Sequence, residues 1–128
     1  MTRATALALF VANALVAAPA LAQSGMSAGE RAFQRCFSCH DVAADAPRLQ
    51  GPGLHSLFGR RAGALPDFEY SAALREAGAR GLVWSAETLD RYLEDPTAMI
   101  PGGRMEGVWI RDAEQRRVLI EWLAAATR

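Results

Sequence analysis

The chain has 128 residues, 51% of them hydrophobic, and its 14 basic residues are balanced by 14 acidic ones. That length holds one domain once an N-terminal leader is set aside, and the neutral balance gives no basic field of the kind that engages nucleic acid. Every basic residue is an arginine, which codon bias explains more simply than function does.

In chain order, residues 1–22 read as a cleaved secretory signal. Arg3 is the charged start, Ala4 to Ala18 the apolar stretch, and Ala20-Leu21-Ala22 the small-x-small cleavage site. Asn13 and Pro19 interrupt the apolar stretch, which falls short of the ~20 residues that span a bilayer. The mature chain, residues 23–128, then starts at Gln23 on the exported side of the membrane, in the periplasm. It has 106 residues (128 less 22), and with Arg3 gone 13 arginines face 14 acids.

Ser27-Ala28-Gly29-Glu30 has the form of a capping box and opens a short helix through Phe33 toward Cys36. From Asp41 to Pro66 four glycines and three prolines indicate a long loop wrapped over something. A short helix is expected over Ser71 to Ala77, stopped by Gly78. A stronger one starts at the N-cap Ser85, carries Leu89, Tyr92 and Leu93 at helical spacing and ends near Asp95 before Pro96. The last starts at Asp112 with Gln115 as capping partner and turns Val118, Leu119, Trp122 and Leu123 to one side. No period-2 run is long enough for a strand, so the fold class is all-α, a single small domain of three to five short helices and loops.

The chemistry lies in Cys36-Phe37-Ser38-Cys39-His40, the C-x-x-C-H attachment signature of haem c. Thiols three positions apart in one turn project to the same side. There they suit thioether bonds to the two vinyl groups of one porphyrin, with the His40 imidazole in reach of the iron. The competing readings of C-x-x-C fare worse. A structural zinc site needs four ligands, but the chain offers these two cysteines, His40 and the distant His55. A thioredoxin-like dithiol would sit near a βαβ pattern that is missing.

Haem also answers an energetic problem. Short helices and long loops bury little apolar surface, while ordering each residue costs about 1–2 kcal/mol. Burying a few hundred Å² of porphyrin at ~25 cal/mol per Å² returns on the order of 10 kcal/mol as an upper figure. The apoprotein is therefore expected to be largely unfolded. For the second axial position the candidates are His55, Met26, Met99 and Met105, and side-chain chemistry alone does not choose. Met105 stands out by lying in an irregular loop, Pro101-Gly102-Gly103-Arg104-Met105, far along the chain from His40.

Several ordered stretches carry a resemblance: Cys36 to His40, Gly51-Pro52-Gly53-Leu54-His55-Ser56-Leu57-Phe58-Gly59-Arg60, Tyr92-Leu93-Glu94-Asp95-Pro96 and Ile100 to Met105. Together they resemble the class I c-type cytochromes, the mitochondrial type and its soluble bacterial relatives, over nearly the whole mature chain. The resemblance implies Met105 as the sixth ligand and the Pro52 carbonyl as acceptor of the His40 Nδ1 proton. Arg60, Tyr70 and Trp84 match positions that hydrogen-bond a haem propionate, and Tyr92 matches a tyrosine near the ligand sulfur. His55 matches a histidine that pins a loop, and Phe33 and Trp122 resemble the aromatic pair joining the first and last helices.

Three positions depart from the family pattern. Gly103 stands where a threonine often helps hold a propionate, Leu74 where an asparagine often joins a polar network, and Gly107 near where an aromatic often covers the haem edge. A looser Met-side loop is expected, with Val108 or Trp109 free to fill the gap. The function implied is that of a soluble, monomeric, monohaem electron carrier of the periplasm rather than an enzyme, docking transiently with redox proteins at the exposed haem edge. There the ring of positive charge is thin, Arg35 and Arg104 with Glu106 mixed in. Alternatives are a haem subunit that accepts electrons from a periplasmic dehydrogenase and, further off, a peroxidase-like haem enzyme.

Overall fold

The computed structural model describes residues 25–128 together with Met1. The leader expected over residues 1–22 lies, Met1 apart, outside the described residues. Among these, five helices are present: α1 (Ala28–Phe33), α2 (Ala72–Ala79), α3 (Ala86–Glu94), α4 (Pro96–Met99) and α5 (Ala113–Ala126). None is long and apolar enough to cross a membrane. There is no sheet among the described residues; Arg61 and Val83 form an isolated bridge, flanked by Ala62 N–H to Leu82 O and Trp84 N–H to Arg60 O, both 2.9 Å. The long loop before α2 is thereby tied to the segment after it.

The first and last helices form the frame. In α1 the capping box is complete: Ser27 Oγ accepts from the Glu30 amide at 3.2 Å and Glu30 Oε2 from the Ser27 amide at 2.6 Å. The helix then crosses α5 at close range. A Cβ on Gly29 would stand 2.1 Å from Trp122 Cβ, so only glycine allows this approach. Phe33 packs on Trp122 with ring centroids 4.9 Å apart, a pair whose truncation costs about 3–5 kcal/mol per aromatic by cavity formation. On α5 the buried face is Leu119, Ile120 and Leu123, with Val118 and Trp122 half-buried beside it.

One helix boundary differs from expectation, and two expected ones gain detail. Gly78 does not stop α2. It lies inside the helix because a Cβ there would meet Ala62 O at 1.9 Å, and the chain turns only at Gly81, with φ +101°. Asp95 ends α3 and at once caps α4, its Oδ1 accepting from the Ala98 amide at 3.0 Å with Pro96 as first residue. At the start of α5, Asp112 Oδ1 accepts from the Gln115 amide at 2.9 Å, so the backbone of Gln115 completes the cap.

Sequence reasoning gave no role to Arg116, which is 5% exposed. Its Nε donates to Asp90 Oδ1 at 2.7 Å and its NH1 to the carbonyls of Ile110 (2.8 Å) and Arg111 (3.1 Å). The bond to Asp90 pushes the guanidinium pKa up. A charge so buried persists because every side of it is partnered.

Candidate haem site

Between the frame and the long loop lies a cavity of about 610 Å³. Much of its wall is the hydrophobic core itself: Leu57, Leu89, Leu93, Leu119 and Leu123 all face it. Native interiors pack without large voids. A space of this size in so small a core fits an apolar ligand, and it falls within the range of small-molecule and cofactor pockets, about 300–1,000 Å³.

The signature residues enter from the turn after α1, where Cys36 N–H bonds Phe33 O at 2.7 Å and His40 N–H bonds Cys36 O at 2.9 Å. Both thiols are free and both line the cavity. Burial pushes the Cys36 thiol pKa up, with Arg35 opposing. Cys39 Sγ lies 3.5 Å from Gln50 Oε1. Among the described residues no three His, Cys, Asp or Glu side chains gather as a metal cluster.

His40 is oriented by the loop wrapped over it. Its Nδ1 is 2.8 Å from Pro52 O, and because a carbonyl can only accept, Nδ1 carries the proton and Nε2 keeps its lone pair. Burial lowers the imidazole pKa against the raising effect of that carbonyl, so the ring is neutral at pH 7. The loop is drawn in by Gly51 N–H to Cys39 O at 2.7 Å and Leu54 N–H to Asp41 O at 2.8 Å. A Cβ on Gly51 would stand 2.4 Å from His40 Cε1, which explains glycine at this position.

Of the four candidates for the second ligand, Met105 lines this cavity. His55 lines a separate, smaller space under residues 41–68, Met26 is exposed and accepts a weak bond from Gln34 Nε2 at 3.6 Å, and Met99 packs against the core from outside the cavity.

The remaining expected site residues also meet here. Pro52, Arg60, Tyr70, Trp84 and Tyr92 all line the cavity. Arg60 already donates to Gly53 O at 2.8 Å and to His55 O at 2.9 Å; three of its five N–H groups are left to offer a ligand. Burial lowers its pKa while Tyr70 raises it, and the Tyr70 hydroxyl is pushed up by burial with Arg60 opposing. Trp84 packs against Tyr92 with the rings tilted and their centroids 5.0 Å apart, and burial pushes the Tyr92 hydroxyl up to about 12, so it stays a donor across the physiological range. These side chains suit a flat apolar body that carries acidic groups on one edge, which is the chemistry of haem.

Sequence reasoning missed Arg48, Gln50 and Phe68, which also line the cavity. Arg48 is the one cation between His40 and Arg60, a signal that could have flagged it; Phe68 sits edge-on to Tyr70 at 4.8 Å. Each of the three departures has a place in the structure. Gly107 adopts φ +74°, a backbone state that favours glycine over an aromatic. Leu74 adds apolar wall, and Gly103 donates to Ile100 O at 3.0 Å in a tight turn. Val108 lines the cavity, while Trp109 turns outward, 44% exposed, with its Nε1 3.1 Å from Asp95 Oδ1.

No family model matches the chain. Individual relatives do. Cytochrome c2 of Agrobacterium tumefaciens (strain II Chrys) is 39% identical over 101 residues, covering 79% of this chain and 91% of the relative. Cytochrome c2 of Afifella marina is 38% identical over 98 residues, 77% of this chain and 79% of the relative. Among solved structures, cytochrome c2 from Rhodospirillum centenum superposes with a TM-score of 0.72 at 32% identity, over 78% of this chain and 96% of the other. With its helical frame, its C-x-x-C-H turn and its apolar cavity, the chain belongs to the class I c-type cytochromes.

Proposed function

We propose that the protein is a soluble, monomeric electron carrier of the periplasm. It holds one haem c through Cys36 and Cys39, with His40 and Met105 as the axial ligands. The observation that carries this reading is that a residue from the turn after α1 and a residue 65 positions later line one cavity with both thiols. When bound, haem c supplies a one-electron ferric/ferrous couple.

The protein's part is to hold that couple still. Pro52 O fixes the His40 tautomer and makes Nε2 more basic. The Met105 thioether and the apolar wall of Leu57, Leu74, Leu89 and Leu93 favour the less charged state and so raise the potential. Arg60, Tyr70 and Trp84 offer donors to the propionates, whose charge is costly in an apolar wall without them. Were His40 and Met105 both to hold the iron, no position on it would be open to a substrate, which favours carrier over enzyme. Exchange with redox partners is brief, through a small docking face.

The test is an optical and mass analysis of the full chain exported by a host that matures c-type cytochromes. A product of residues 23–128 carrying one haem, with a pyridine haemochrome spectrum of two thioether links and a ferric band near the red end from sulfur ligation, is expected. A product without a tetrapyrrole adduct overturns the proposal. Rapid peroxide turnover by the native protein would favour a haem enzyme in its place.

A further inference from the structure

The segment that bears Met105 is held unevenly. It enters through Ile100 N–H to Pro96 O (3.0 Å) and leaves through Ile110 N–H to Leu93 O (2.9 Å). Between Arg104, which donates to Glu69 O at 3.1 Å from an exposed side chain, and Ile110, no amide of residues 105–108 has a hydrogen-bond partner among the described residues. The next fixed point after Met105 is a side chain: Trp109 Nε1–H donates to Asp95 Oδ1 at 3.1 Å.

That bond is unusual in its surroundings. Trp109 is 44% exposed, so burial alone does not seat its ring. Asp95 is an organised acceptor, since the same Oδ1 takes the Ala98 amide at 3.0 Å and the Thr97 hydroxyl at 2.9 Å, and Arg111 lies 3.7 Å from Oδ2. A charge-assisted bond to a carboxylate already fixed by a helix cap joins the otherwise unbonded stretch to the junction of α3 and α4.

We infer that Asp95 and Trp109 form a latch that sets how readily the Met105 side of the site opens; they are positioning residues for the sulfur, acting through the backbone of residues 106–108. The inference rests on Met105 being the sixth ligand. Opening of the loop breaks the indole bond, and loss of that bond makes opening easier without touching the cavity wall or the helical frame.

The experiment uses the ferric haem-loaded protein and imidazole as an external ligand. The limiting rate of Met105 displacement at saturating imidazole reports opening. Trp109→Phe, which keeps an aromatic ring and removes the donor, is expected to raise that rate roughly tenfold, with the guanidinium midpoint of global unfolding nearly unchanged. Asp95→Asn, which keeps an acceptor and a helix cap but loses the charge, is expected to give a smaller rise. An unchanged rate in both variants overturns the latch, as does a rise matched by an equal loss of global stability. Met105→Ala separates the two ideas. If it leaves the red-end band and the imidazole kinetics as they were, the ligand assignment falls and the latch with it; if it abolishes the band while Trp109→Phe changes nothing, the latch alone falls.

Discussion

The two sides of the cavity are built to different standards. Around His40 the backbone is stitched at Cys36, Cys39, Asp41 and Pro52 by bonds of 2.7 to 3.0 Å, and Gly51 presses against the imidazole with no room for a methyl group. Around Met105 the chain is fastened at its ends and by side chains, and Gly107 has open space around it. Stiffness on one side and slack on the other means that the imidazole is part of the folded frame while the thioether is held by a segment of lower local stability.

The largest break in that contrast comes from removing the thiols. Cys36→Ala with Cys39→Ala, made without haem, is expected to lose most of its helical circular dichroism, because the cavity then stands empty in a core too small to tolerate it. Native-like helix content would show that the frame does not depend on the cofactor. Next in size is a matched glycine pair. Gly51→Ala forces a Cβ to 2.4 Å from His40 Cε1 and is expected to cost about 1–3 kcal/mol in a denaturant melt of the holoprotein. Gly107→Ala meets no atom and pays only for its positive φ, about 1 kcal/mol. Equal costs would erase the distinction between the sides.

Acid sharpens the comparison further. The Ala98 amide, helped by Thr97, Trp109 and Arg111, holds the Asp95 carboxyl below its ordinary value of 3.8. Since the folded pKa is depressed, the contribution of Asp95 is complete above pH 3.8 and is lost as pH falls through the lower folded value. Comparing wild type with Asp95→Asn between pH 5 and pH 2 should therefore show a steeper acid loss of sulfur ligation in the wild type; parallel curves would count against the role of the carboxylate. The smallest expected effect concerns docking. Of the exposed arginines lining the cavity, Arg48 is paired with Asp67 and Arg104 with Glu69, and Glu106 joins Arg35 in the lining, so the electron-transfer rate is expected to fall only slightly with ionic strength. A fall of several decades between low and physiological salt would show a strongly steered partner.

How much of this was legible in the sequence follows the same division. The capping box of α1, the C-x-x-C-H turn and the apolar face of α3 are local patterns, and each appears where residue spacing puts it. Gly78 misled because a glycine that ends a helix and one that admits a neighbouring carbonyl look alike until Ala62 is seen against it. α4 was announced by Asp95 and Pro96 as N-cap and first residue, although a proline read as a stop concealed its second use as a start. Arg116 and Gln50 were hidden for another reason: Asp90 and Cys39, which they meet, lie 26 and 11 positions away, and polar residues on a helix or in a loop read as solvated until the fold surrounds them. The choice between Val108 and Trp109 likewise depended on Asp95, 14 positions from the indole it binds.

The two feet of the sulfur-bearing segment stand on neighbouring helices: it departs from α4, where Ile100 N–H bonds Pro96 O, and returns where Ile110 N–H bonds Leu93 O near the end of α3, with Arg116 clasping Ile110 O and Asp90. With α3 and α4 joined at Asp95, the two rivets lie close together, and the tip of this handle can swing but cannot stretch. Reach is then a property of residue count alone. Deleting one residue between Gly102 and Gly107 shortens the tether by up to about 3.6 Å, a deficit that neither rivet can make good.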